Sequence, residues 1–306
     1  MRLLPPLAFA ATILLLLPFA PVAQAQVLGE EHRTEEEIEH EFVQTRTCDP
    51  DGLIQSPCSF DQQPLPIQWN SNTVRYVINE MGSQQLHPDD DHLTDELKHS
   101  IIESFETWNE QECSAYEMVY DGTTTERFPG FDTDIDPEDN INLVVFRDDD
   151  WPHPHYHAVA LTTVTFRPSN GEVLSADIEI NTAQFEFTDS DDDVAIDLRN
   201  TMTHEVGHFL GLDHSPNHTA TMYFTAAEGE THKRELHDAD IAGLCHIYPE
   251  GDEPNLPDGT NGAGTDGGNR DDNGRCSLSG QGPDQGLIMV ILFTLAAICL
   301  RRRRGK

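Results

Sequence analysis

Residues 204–214 read HEVGHFLGLDH, and their spacing is a statement about geometry. His204 and His208 stand four residues apart, so on a helix their imidazoles share one face about one turn apart. Two such rings can hold a single Zn²⁺ through bonds of about 2.0–2.1 Å. Gly211 lets the chain leave the helix and turn sharply, so that His214 returns as a third ligand. Three protein ligands leave the fourth position to water, which is the pattern of catalytic rather than structural zinc. A metal held this way lowers the pKa of its water toward about 7 and polarises a carbonyl. Glu205 borders the metal without having to ligate it, which makes it the candidate general base and then acid. The chain holds 15 His, and the chance of three His and one Gly at these offsets is on the order of 0.002.

These residues need elements to carry them. Helical apolar spacing from Val194 through Leu198, Met202, Val206 and Phe209 puts His204 and His208 on a helix that Gly211 ends. Leu93, Leu97, Ile101, Phe105 and Trp108 form the stripe of an earlier helix, with Asp90 and Asp91 at its dipole-favoured start. A third helix is expected over 236–248, with Asp238 and Asp240 in its opening turn. Segments 66–78, 117–119, 141–146, 157–166 and 173–180 read as strands, the last two joined as a hairpin through Pro168-Ser169-Asn170-Gly171.

Both ends read as something other than folded domain. Arg2, an apolar run over 7–19 and Ala23-Gln24-Ala25 describe a signal peptide, 1–25, and hence export. Residues 26–47 are acidic and are expected to be a spacer or short propeptide ahead of one domain, 48–249. A Gly/Asp/Pro-rich linker, 250–275, leads to a tail, 276–306, in which Cys276 and an apolar run precede Arg301 to Arg304. That order fits a sorting signal or membrane anchor, and the tail is the one expected membrane contact. The net charge of −37 repels phosphate backbones and excludes nucleic acid as a partner.

Six cysteines in an exported chain suggest disulfides, Cys48 with Cys58 across a short loop and Cys113 with Cys245 across the domain. Asp132, Asp134, Asp136 and Asn140 offer hard oxygens for Ca²⁺, but without EF-hand spacing, so a solvated acidic loop is the favoured reading.

The 204–214 segment resembles the metzincin pattern H-E-x-x-H-x-x-G-x-x-H, and Thr221-Met222-Tyr223 stands where that family has its methionine turn. Ser215 after the third His and the helix LHDADIAGLCHIY resemble matrixins, with Asp240 matching the Asp that supports the methionine turn. Phe224 stands where some other metzincins place a zinc-binding Tyr. The resemblance implies an α/β fold: a twisted, mixed five-stranded sheet with an antiparallel edge strand, two long helices, and a small C-terminal subdomain with the third helix. It further implies a monomeric zinc endopeptidase that takes protein or peptide substrates in extended form along 157–166, with a specificity wall from 224–235.

Departures from the pattern are informative. Thr162 and Glu179 fall where matrixins have His ligands to a second, structural zinc, and His153, His155 and His157 read as exposed loop rather than a replacement. Cys48 lacks the flanks of a cysteine switch, and Ala239 replaces the first Asp of the helix pair. The tail resembles the sorting tails of myxobacterial exported proteins. A non-catalytic zinc-binding module and a zinc hydrolase of non-peptide substrates are the alternatives.

Overall fold

The structure is a computed structural model, and it describes residues 34–48, 63–135, 139–154, 157–192, 194–251 and 289–298. The expected signal peptide, the 252–288 stretch, Cys58, Cys276 and Cys299 lie outside the described residues.

The chain folds as a mixed α/β domain. After a short helix α1 (Glu35–Glu39), strands β1 (Gln68–Trp69) and β2 (Thr73–Asn79) replace the single strand expected over 66–78. Ser71 interrupts it, its hydroxyl bonding both the N–H and the C=O of Thr73. Helix α2 (Asp95–Asn109) starts later than the two aspartates suggested, because the Thr94 hydroxyl caps it by accepting from the Leu97 N–H. Then follow β3 (Glu117–Thr124), β4 (Leu143–Phe146), and the hairpin β5 (Ala158–Arg167) and β6 (Glu172–Ile180). A two-stranded ribbon, β7 (Phe187–Thr188) with β8 (Ile196–Asp197), leads into helix α3 (Leu198–Phe209). Beyond it lie β9 (Thr225–Ala227), a 3₁₀ turn at His232–Arg234, helix α4 (Asp238–Ile247) and strand β10 (Met289–Ile298).

The main sheet runs β3-β2-β4-β6-β5-β10-β9, with β1 also parallel to β6. The expected five strands are the first five of this order, and β5 is antiparallel to β6 as foreseen. One difference bears on the site. β5 is not the outer strand, since β10 from the expected sorting tail pairs along its free side and then runs parallel to β9.

Helices α2 and α3 pack on the sheet through the predicted stripe, with Leu97, Ile101, Phe105 and Trp108 all buried. Tyr76 of β2 stacks on Phe105 at 3.6 Å, Phe105 meets Phe209 of α3 edge-on, and the Trp108 indole N–H donates to the Thr203 carbonyl at 2.9 Å. Two carbonyls at the end of α3 also find donors. The Trp69 indole N–H reaches Phe209 O and the Tyr248 hydroxyl reaches Leu210 O, each at 2.8 Å, so the helix ends at a fixed point.

Cys113 and Cys245 are joined, with Cα atoms 5.5 Å apart and a sequence separation of 132. In chain-entropy terms a loop of that length is worth about 4–5 kcal/mol. Cys48 is disulfide-bonded as well.

Residues 34–47, within the stretch expected to be an acidic spacer or short propeptide, pack against the domain. Phe42 and Val43 are buried, and Glu37 is fully buried, where it accepts from the Gln44 N–H at 2.9 Å and the Arg46 guanidinium at 2.8 Å. Thr45 N donates to Gly211 O and Asp213 N to Val43 O, both at 2.8 Å, so the segment clasps the loop that follows α3. The packed structure therefore begins upstream of residue 48. The acidic composition hid this, because the charges surround two apolar anchors and one buried carboxylate whose partners follow it by only seven and nine residues.

Candidate metal centre

Helix α3 presents His204 and His208 on one face, and the turn after it returns His214 to them. Gly211 makes that turn possible: its φ is +98°, and a Cβ there would lie 2.8 Å from the Ile67 carbonyl oxygen. The three rings converge with centroids 4.7, 5.4 and 4.8 Å apart, all buried.

Backbone carbonyls set the tautomers. His204 Nδ1 lies 2.6 Å from Thr221 O, and His208 Nδ1 lies 2.8 Å from Leu212 O. A carbonyl only accepts, so each Nδ1 carries the proton and each Nε2 presents a lone pair to the centre. The two Nε2 atoms stand 3.1 Å apart, and neither can donate to the other. His214 Nε2 is buried with no hydrogen-bond partner among the described residues. Three lone-pair nitrogens within 4.8 Å of one another fit a metal ion. Among the described residues no other group of three His, Cys, Asp or Glu side chains has this property.

Burial pushes all three rings well below the usual histidine range, His208 to about 3, with the neighbouring imidazoles and Lys233 acting in the same direction on His204 and His214. The rings are thus neutral and ready to ligate at neutral pH. Because the folded value lies below the ordinary 6.5, the stability they contribute is present above 6.5 and lost as pH falls toward the His208 value of about 3. Melting temperature of the metal-free chain and retention of added zinc should both decline through that window. Profiles flat down to pH 4 would refute the neutral, converging triad.

Glu205 is fully buried, and its Oε2 accepts the Thr162 hydroxyl of β5 at 2.5 Å. Met222 is buried beneath α3, with its sulfur so close that a Cβ on Gly207 would come within 2.1 Å of it. Asp240 accepts from the Thr221 N–H at 2.7 Å, the Met222 N–H at 3.1 Å and the His237 N–H at 2.9 Å. It thereby holds the turn whose Thr221 carbonyl orients His204.

The matrixin family model, Peptidase M10, matches residues 68–249. This chain is a matrixin. It is 28% identical over 193 residues to Metalloendoproteinase 1-MMP of Arabidopsis thaliana, covering 62% of this chain and 46% of that protein. It is 33% identical over 135 residues to 4-MMP of the same plant, covering 44% and 36%. With Metalloendoproteinase 1 of Glycine max it shares 26% over 214 residues, covering 68% and 60%. The chain spans less than two thirds of the length of each of these relatives.

The contacts of Glu179 and Lys233 in this matrixin were not foreseen from its sequence. Glu179 is buried in an ion pair with Arg147 at 2.5 Å and bonds His153 Nε2 at 2.9 Å, so a closed charge network occupies the place where the family pattern has a structural-zinc histidine. Lys233 is fully buried, its ammonium donating to the carbonyls of Tyr223 and Thr225 at 2.6 Å each, and burial lowers its pKa to about 8. It pins the segment after Met222 from below. Glu230, three residues earlier, also faces the ammonium at 3.6 Å, but the carbonyl acceptors leave no mark in the sequence. Phe224 sets its ring edge-on 6.2 Å from His214, placing no hydroxyl there. In the acidic loop Asn140 Oδ1 accepts from the Asp132 N–H and Asp132 Oδ1 from the Asp134 N–H, while Asp136 lies outside the described residues.

Proposed function

We propose that this matrixin is a zinc-dependent endopeptidase in which His204, His208 and His214 hold the metal and Glu205 moves the proton. The observation that carries the reading is the convergence of three buried imidazoles on α3 and its following turn, two of them with the Nε2 lone pair fixed by a backbone carbonyl, and with a carboxylate at the position after His204. Zinc bound there would activate water and polarise a carbonyl. The chain's own residues do the rest. The carbonyls of Thr221 and Leu212 hold two rings in register, Asp240 fixes the turn beneath them, and Thr162 orients Glu205. Glu205 would take a proton from water and pass it to the leaving amine.

Substrates would be protein or peptide segments in extended form, paired along β5 by strand addition. The plant relatives carry the name metalloendoproteinase, which supports peptide rather than other bonds. A buried Glu205 held by a dedicated hydroxyl argues against a module that binds zinc without catalysis. We further read the chain as a monomer exported by its N-terminal leader, with Leu287 onward as anchor or sorting tail; no helix among the described residues is long and apolar enough to cross a membrane. The test is cleavage of casein and of a peptide library by the purified zinc-loaded chain. Phenanthroline should abolish it and excess zinc should restore it. Cleavage that survives chelation refutes the metal mechanism.

A further inference from the structure

Strand β10 lies on the edge that an incoming peptide would need. From Met289 to Ala296 it is antiparallel to β5, with Val290 opposite Thr165, Leu292 opposite Thr163, Phe293 opposite Thr162 and Leu295 opposite Ala160. The register shifts between Leu295 and Ala296, and from Ala296 to Ile298 the strand runs parallel to β9, the segment just beyond Met222. Its middle is thus the sheet neighbour of Thr162, the residue that holds Glu205, at the roughly 4.8 Å spacing of paired strands.

Each backbone N–H and C=O on the outer side of β5 can join one ladder at a time. Those that pair with β10 are closed to a second strand. The segment MVILFTLAAI carries no charge, proline or glycine, so nothing in its composition interrupts the ladder. The decapeptide satisfies β5 on one side and β9 on the other, as a bound extended peptide would have to.

We propose that residues 289–298 are an intramolecular blocking strand, which fills the peptide-binding edge of this chain and must leave before a substrate can enter. The proposal rests on the peptidase reading for its consequence, but the docked strand can be tested apart from it. It also gives the apolar run two competing places, the sheet edge and an anchor, so that engaging one vacates the other.

The experiment uses the full chain carrying Thr163→Cys with Leu292→Cys, directly opposite in the ladder, where Cβ atoms about 4.5–5.5 Å apart can close a disulfide with a small adjustment. Thr163→Cys with Thr294→Cys, a diagonal pair, is the off-register control. The in-register pair should crosslink, as read by peptide mapping, and the control should not. The locked chain should cleave a fluorogenic peptide at least about tenfold more slowly than the same chain after mild reduction, since a tethered strand competes at an effective concentration near the millimolar range. The parent chain, treated identically, should not change. Leu292→Pro, which a strand interior does not accommodate, should raise kcat/KM without reductant. A locked chain as fast as the reduced one, or crosslinking in the control alone, overturns the proposal. An in-register crosslink in a chain that cleaves nothing in either state upholds the docked strand and overturns the peptidase reading instead.

Discussion

Glu205→Ala should keep about one zinc per chain and lose turnover by about 10²–10⁴-fold, the range that a positioned general acid–base contributes. The distinction follows from where the carboxylate sits. His204, His208 and His214 supply three converging nitrogens without it, whereas Glu205 is held by the Thr162 hydroxyl at 2.5 Å. Removing it leaves in place the three histidines and the Thr221 and Leu212 carbonyls that hold two of their rings. Metal content by mass spectrometry, beside kcat on a peptide whose cleavage the parent supports, decides the matter. A variant that loses its zinc would make Glu205 a ligand and sink the assignment; one that keeps both zinc and turnover would move the base elsewhere. Thr162→Val should produce a smaller loss in kcat with zinc unchanged, because it frees the carboxylate's orientation without deleting it.

His214→Ala should instead act on the metal. Two ligands on one helix cannot complete a three-nitrogen site, and the third arrives only through the turn at Gly211. The loss of zinc affinity, measured by competition with a chromogenic chelator, should exceed the about 10–100-fold that deleting a supporting hydrogen bond costs a metal site. Asp240→Asn supplies that comparison, since Asp240 reaches His204 only through the Thr221 peptide. Unchanged affinity in His214→Ala would place the third ligand on another residue. Equal losses in the two variants would mean that His214 supports the centre without ligating it.

The convergence of the three histidines was legible because a helix converts a spacing of four into a shared face, and because Gly211 and His214 lie close in sequence to the helix that needs them. The α2 stripe was legible for the same reason. What escaped was long-range. Thr162 meets Glu205 across 43 residues, and a threonine in a strand gives no sign of which hydroxyl acceptor it will find. The clasp formed by residues 34–47 was hidden by acidic composition, although its anchors Phe42 and Val43 are apolar and buried. The apolar run near the C-terminus, with Arg301 to Arg304 after it, has the order of a sorting or membrane signal. An apolar decapeptide broken only by Thr294 fits a strand of a sheet equally well, and periodicity alone does not separate the two.

The Cys113–Cys245 bridge has a bearing on what happens when the protein itself is cut. It encloses β3 through most of α4, and therefore the three histidines, the methionine turn and the exposed acidic loop around Asp132. Chain scission anywhere between residues 114 and 244 leaves two pieces still joined covalently. Their ends are stitched further by the Ser114 to Pro249 bridge and the Glu250 N–H to Cys113 carbonyl bond at 3.0 Å. A nicked molecule would run as two bands after reduction and as one before it, with its metal residues still on a shared scaffold. That turns a break in an exposed loop into a wound the fold can carry.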